Sequence, residues 1–122
     1  MAAALLISVV DDDIASREAM SGLIRSMGHE VAEFASAADF LACGELERTG
    51  FLIFDLRMPG MTGLELHRQL VGAGIVIPTA IVTAHPVEAS RLQALKAGVM
   101  AVLAKPISPN DLAACLTGPL RG

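Results

Sequence analysis

The chain has 122 residues, of which 53% are apolar and 18% charged, with a mean hydropathy of +0.58. That is too short for two domains and too apolar for a disordered chain, so one domain over residues 1–122 is expected, burying roughly two thirds of the surface its unfolded form exposes. Nine basic against thirteen acidic residues give a net charge of -4, which excludes the electrostatic footprint of a domain that binds nucleic acid directly or lies on an anionic membrane.

The first apolar run, Leu5–Val10, has strand length and meets three aspartates, Asp11, Asp12 and Asp13. The segment 1–10 has no basic leader and half the ~20 residues of a membrane span, so a cytoplasmic protein is expected. Met20, Leu23, Ile24 and Met27 then recur at helical spacing, with Arg17, Glu18, Ser21 and Arg25 on the other side, predicting a helix over Ile14–Met27 closed by Gly28. A strand over Glu30–Phe34 and a short helix over Ala37–Cys43 follow, the helix ending at Gly44. The run Phe51–Phe54 is apolar without alternation, as a strand buried on both faces reads. Next come a helix over Gly63–Val71 stopping at Gly72, a strand over Thr79–Val82, and a helix over Val87–Ala97 set between Pro86 and Gly98. A strand over Met100–Ala104 and a helix over Asn110–Leu116 complete the chain, with Pro119 expected to end that helix. Cys43 and Cys115 lack C-x-x-C spacing and read as reduced core residues.

Strand and helix alternate five times, which predicts a doubly wound α/β sandwich of three layers around a parallel sheet. Sites in such folds lie beyond the carboxyl ends of the strands. The residues standing there are Asp11 to Asp13, then Asp55, then Thr83 and Ala84, then Lys105 and Pro106. Carboxylates crowded at one edge repel, by about 4 kcal/mol per pair at ~4 Å in an effective dielectric near 20. Either one acid is protonated or a cation sits among them. An all-oxygen set without histidine or cysteine suits a hard divalent ion, and an open site suits magnesium. Asp13 is expected to serve as a helix cap. Asp55 directly follows an apolar strand, and Lys105 is the partner that offsets its desolvation. A carboxylate nucleophile with Thr83 and Lys105 as donors matches phosphoryl transfer through an aspartyl phosphate.

These residues resemble the receiver domain of two-component response regulators. The motifs are VVDDD at Val9–Asp13, FDLRMPGMTGLEL at Phe54–Leu66, VTAH at Val82–His85, KAG at Lys96–Gly98 and AKP at Ala104–Pro106. Their order and spacing cover essentially the whole chain, and DLRMPGMTG looks most like regulators of the nitrogen-fixation type. The resemblance implies a flavodoxin-like (βα)5 fold with strand order 2-1-3-4-5. It implies that Asp55 takes a phosphoryl group from a sensor histidine kinase in a Mg2+-dependent reaction. Asp12, Asp55 and the Arg57 backbone carbonyl would hold Mg2+ directly, and Asp11 through water. Thr83, Lys105 and the Ala84 N–H would bind phosphoryl oxygens, the Lys105–Pro106 peptide would be cis, and Arg57 and His85 would occupy tuning positions. Such a domain catalyses only its own phosphorylation and dephosphorylation. His29 and His67 read as strand-edge and helix-surface residues. The family's usual aromatic three residues before the lysine is Val102 here, and Ile107 replaces a common phenylalanine. The switch face, formed by the fourth helix, fifth strand and fifth helix, is therefore expected to be aliphatic, with Leu95, Met100, Val102 and Leu103 nearby. The implied partners are the kinase, a C-terminal DNA-binding output domain outside this chain, and a second copy through the switch face.

Three other readings fit less well. A haloacid-dehalogenase-type hydrolase wants D-x-D at the nucleophile, whereas Asp55 is followed by Leu56 and Arg57. A receiver that only docks partners would not need the full set of acids, threonine and lysine. A flavin-binding domain of the same fold would place hydroxyls and glycines, not three aspartates, after the first strand.

Overall fold

The computed structural model describes residues 5–44, 46–58, 60–85 and 87–120, with the side chains of 117–120 left aside. Its elements are β1 (Leu6–Val10), α1 (Ile14–Ser26), β2 (Glu30–Phe34), α2 (Ala37–Ala42), β3 (Phe51–Asp55), α3 (Gly63–Gly72), β4 (Thr79–Thr83), α4 (Glu88–Lys96), β5 (Ala101–Ala104) and α5 (Pro109–Leu120). The strands form one parallel sheet in the order β2-β1-β3-β4-β5. This is the expected doubly wound arrangement, and the order reverses between β1 and β3.

Side-chain alternation along the strands divides the core in two. Val10, Leu52, Phe54 and Ile81 pack with Phe40, Leu66, Leu70 and Ala94 of α2, α3 and α4. Ile7, Val9, Phe51, Ile53, Ala80 and Val82 pack with Met20, Ile24, Leu112, Cys115 and Leu116 of α1 and α5. Every residue of β3 and β4 is buried, as the unbroken apolar runs predicted. Neither cysteine forms a disulfide; Cys115 is buried in the α1–α5 half of the core and Cys43 is half-buried against the α2–α4 half.

Three elements differ from the sequence reading. Helix α3 runs through Gly72 to a cap at Ala73, and the left-handed turn falls on Gly74 with φ of 78°. Helix α5 is longer than expected, because it continues across Pro119 to Leu120. Pro119 therefore stands in the last turn of the helix rather than beyond it. Pro86, expected to open α4, lies outside the described residues. The helix itself begins at Glu88 with Val87 at its cap, without a side-chain cap bond.

The buried face of α1 is also rotated from the one expected. Ser21 is fully buried with Met20 and Ile24, whereas Leu23 and Met27 are only partly so. The Ser21 hydroxyl has no hydrogen-bond partner, and a buried hydroxyl left unpaired is destabilising by about 1–3 kcal/mol. Ser21→Ala is therefore expected to raise stability by about 1 kcal/mol or more, aided by the higher helix propensity of alanine. Urea unfolding followed by circular dichroism measures it; a loss of stability would show that the hydroxyl is satisfied.

Candidate functional site

The reversal of strand order opens a crevice at the carboxyl ends of β1 and β3, and the sequence sets an aspartate at each. Asp11 follows Val10, and its N–H donates to the Phe34 carbonyl of β2 at 3.0 Å. This holds the residue in the plane of the sheet, and its side chain is 0% exposed. Asp11 Oδ1 accepts the Asp13 N–H at 2.9 Å. Asp13 turns away to cap α1, accepting the Ala15 N–H at 3.2 Å, the capping role expected of it. Asp12, between them, is exposed.

Asp55 is the last residue of β3 and 9% exposed. Its Oδ1 accepts the Arg57 N–H at 3.1 Å. The loop beyond it is fastened by Leu56 N–H to the Val82 carbonyl and Gly63 N–H to the Leu56 carbonyl, both at 2.9 Å. Gly63 is required here. A Cβ on it would stand 2.7 Å from the Asp55 carbonyl oxygen and 2.8 Å from the Phe54 ring. Helix α3 begins at this glycine, capped reciprocally by Thr62 and Glu65. The Thr62 N–H and hydroxyl oppose the smaller effect of burial and hold the Glu65 carboxyl below its usual pKa.

Lys105 joins the two strand ends. It follows β5, its N–H donates to the Thr83 carbonyl at 2.9 Å, and its peptide bond to Pro106 is cis. Its ammonium donates to Asp11 Oδ2 at 2.8 Å and to Asp55 Oδ2 at 2.7 Å. Burial depresses the amine's pKa, but the hydrogen bonds and charges of Asp11 and Asp55 outweigh that, so it stands above 10.5. A folded-state pKa raised in this way contributes stability that is complete below about 10.5 and is lost as pH rises through the higher value.

Asp11, Asp12 and Asp55 each bring a carboxylate oxygen within 4.8 Å of the others. One ammonium among three carboxylates leaves an excess of negative charge, on oxygen donors alone and with one side open at Asp12. Such a donor set fits a hard divalent cation. On the neighbouring strand, Thr83 is 3% exposed. Its hydroxyl accepts the His85 N–H at 3.2 Å, and it lies one position past the pairing of Asp55 with Val82. Ala84 and His85 are exposed beside it.

The family model of the response regulator receiver domain matches residues 7–117. The chain belongs to this family. Among its relatives, the response regulator protein TodT of Pseudomonas putida is 37% identical over 118 residues, covering 97% of this chain and 52% of TodT. The transcriptional regulatory protein FixJ of Azorhizobium caulinodans is 34% identical over 120 residues, covering 98% of this chain and 57% of FixJ. The crystal structure of FixJ-N superposes with a TM-score of 0.86 at 30% identity, over 97% of this chain and 94% of that one. The chain thus spans about half the length of these two relatives. It is a phosphoacceptor receiver domain of a two-component system.

Within this receiver domain, Asp11, Asp12, Asp55 and Lys105 meet as the sequence reading expected, and Thr83 stands next to them. The switch-face residues are less uniform. Val102 is half-buried against the α2–α4 core and Leu103 against the α1–α5 core. Met100 is exposed, Leu95 is half-buried, and Leu92 is an exposed aliphatic residue the sequence reading did not name. His29 accepts the Leu5 N–H through Nδ1 at 3.0 Å, at the edge of β2. His67 is not a surface residue: it is 6% exposed, with Nε2 2.9 Å from the Ala97 carbonyl at the end of α4. Gly98, in the left-handed turn that ends α4 with φ of 101°, packs beside it, and a Cβ there would lie in ordinary contact, 3.5 Å from Nε2. Arg17, assigned from the sequence to the outer side of α1, reaches back to the Asp11 carbonyl with Nη1 at 2.6 Å. No hydrophobic pattern marks that contact. Among the described residues, no helix is long and apolar enough to cross a membrane.

Proposed function

We propose that Asp55 is the phosphoacceptor, taking the phosphoryl group of a sensor kinase's phosphohistidine. The observation that carries this reading is the Lys105 ammonium, bonded at once to Asp11 and Asp55 in a cluster that also includes Asp12. The P–N bond of the donor breaks, a P–O bond forms to an Asp55 carboxylate oxygen, and the leaving imidazole nitrogen takes up a proton. Asp12, Asp55 and the Arg57 carbonyl would hold Mg2+ directly, with Asp11 acting through water. When bound, the ion supplies charge neutralisation between the acids and the incoming phosphoryl oxygens. Asp55 presents the nucleophilic oxygen. Lys105 neutralises its charge before reaction and then a phosphoryl oxygen after it. Thr83 and the Ala84 N–H donate to the remaining oxygens, while Arg57 and His85, at the mouth, set how readily water reaches the acyl phosphate.

Energetics bound the switch. Reversing a two-state population from 1:99 to 99:1 takes roughly 5.5 kcal/mol, and a hydrogen bond to a charged group contributes about 1.5–3 kcal/mol. Lys105 already bonds carboxylates, so its phosphoryl bond is an exchange. Thr83 and Ala84 supply the new donors, and two such bonds span roughly 3–6 kcal/mol, close to the amount required. Val102 stands where the family's aromatic would move, so the change passes to the α4–β5–α5 face through aliphatic packing. That face controls an output domain or pairs with a second copy. A DNA-binding output beyond this chain is supported by the name of FixJ, a transcriptional regulatory protein of which the chain covers 57%. The protein acts in the cytoplasm, and its only chemistry is on itself.

Intact-mass measurement after incubation with acetyl phosphate and MgCl2 tests this reading. A single phosphoryl adduct is expected on the wild type, lost with EDTA and absent from Asp55→Asn. An adduct on both proteins would overturn the assignment, and release of phosphate without any adduct would favour a hydrolase.

A further inference from the structure

Arg17 lies on the sheet-facing side of α1 although it is charged. Its Nη1 donates to the Asp11 backbone carbonyl at 2.6 Å, and its Nε lies 3.4 Å from Glu33 Oε1 on β2. The other oxygen of Glu33 is 3.4 Å from Arg25 Nη2 on the next turns of the same helix. The Asp11 residue so gripped bonds Lys105 through one carboxylate oxygen and the Asp13 N–H through the other. Its backbone is thereby tied to β2 through its own N–H and to α1 through its carbonyl.

We propose that Arg17, held by Glu33, is a positioning residue that fixes the acidic loop 11–13 for binding a divalent cation and for phosphorylation. This rests on the reading of the acidic cluster given above. Two effects of opposite sign compete at Arg17. A guanidinium close to a cation site repels the cation, so if charge alone mattered, removing Arg17 would tighten Mg2+ binding. Arg17 is instead paired with Glu33, which offsets part of that field although it is shared with Arg25, and the donor geometry is the larger effect. A loop of three adjacent acids repels itself and spreads when unrestrained, and the Arg17 bond to the Asp11 carbonyl opposes that spreading without occupying any carboxylate oxygen. Groups that orient metal ligands from behind commonly alter affinity by 10–100-fold, and about tenfold is expected for this single backbone contact.

The test uses Arg17→Met, which keeps the apolar stem, and Arg17→Lys, which keeps the charge, with MgCl2 titrated by calorimetry well below the unfolding temperature. Arg17→Met is expected to weaken Mg2+ binding about tenfold and to slow acetyl phosphate labelling of Asp55, with Arg17→Lys between it and the wild type. Glu33→Gln is also expected to weaken binding, whereas Arg17→Met with Glu33→Gln should match Arg17→Met alone. Unchanged or tighter binding by both Arg17 variants, with the wild type labelled normally, overturns the positioning role. If the wild type binds no Mg2+ and takes no phosphoryl group, the reading of the cluster fails instead. Amide exchange then decides the latch: faster exchange of the Asp13 N–H in Arg17→Lys, measured in EDTA, upholds it, and an unchanged rate refutes it.

Discussion

In buffer free of divalent ions, Lys105→Met is expected to unfold about 2–4 kcal/mol more readily than the wild type, less than for a fully enclosed pair because the cluster is open at Asp12. Methionine retains much of the stem's packing but removes the ammonium that bonds Asp11 and Asp55 at 2.8 and 2.7 Å. Asp11 is wholly buried, so its carboxylate then lacks the ammonium bonded to it and faces the charge of Asp55. The variant should recover more stability than the wild type when MgCl2 is added, because an ion that binds only the folded state stabilises it by mass action, and more strongly where the acids attract it more. Urea unfolding in EDTA and in Mg2+ measures both effects. Equal stability of the two proteins in EDTA would mean that the strand-end acids do not crowd one another.

Gly63→Ala is the second large effect. Alanine at a helical position ordinarily stabilises by up to about 1 kcal/mol relative to glycine. Here the added methyl would lie 2.7 Å from the Asp55 carbonyl oxygen, which is backbone, and 2.8 Å from the buried Phe54 ring. Neither can yield without moving the end of β3, and overpacking of this kind costs about 1–3 kcal/mol. A net loss of about 1–2 kcal/mol is expected, together with slower acetyl phosphate labelling, since Asp55 is displaced from Lys105. A gain in stability with normal labelling would show that the α3 start is not tight against the strand.

Much of this architecture can be read directly from residue order. The unbroken apolar runs ending in Asp55 and Thr83 mark strands buried on both faces, and a parallel sheet puts the residues that follow all its strands at one edge. Asp11, Asp55 and Lys105 therefore come together although the last lies 94 positions after the first. What periodicity hides is the buried polar residue with a specific partner. Arg17 and Ser21 count as outer residues on hydrophobicity, yet both lie against the sheet, one because it bonds a backbone carbonyl and the other without any partner. His67 is hidden for the same reason: it is buried with its ring nitrogen at the Ala97 carbonyl of another element. Pro119 shows the limit of punctuation signals, since the helix extends one residue past it.

The phosphoryl group is expected on one atom group, the Asp55 carboxylate. Borohydride reduction of the acetyl phosphate-treated protein converts a phosphorylated aspartate to homoserine, and peptide mapping by mass spectrometry locates it. Homoserine at position 55 alone, formed only when Mg2+ was present, is the predicted result. Homoserine at position 11 or 12, or its absence from a protein shown to carry a phosphoryl group, would contradict it.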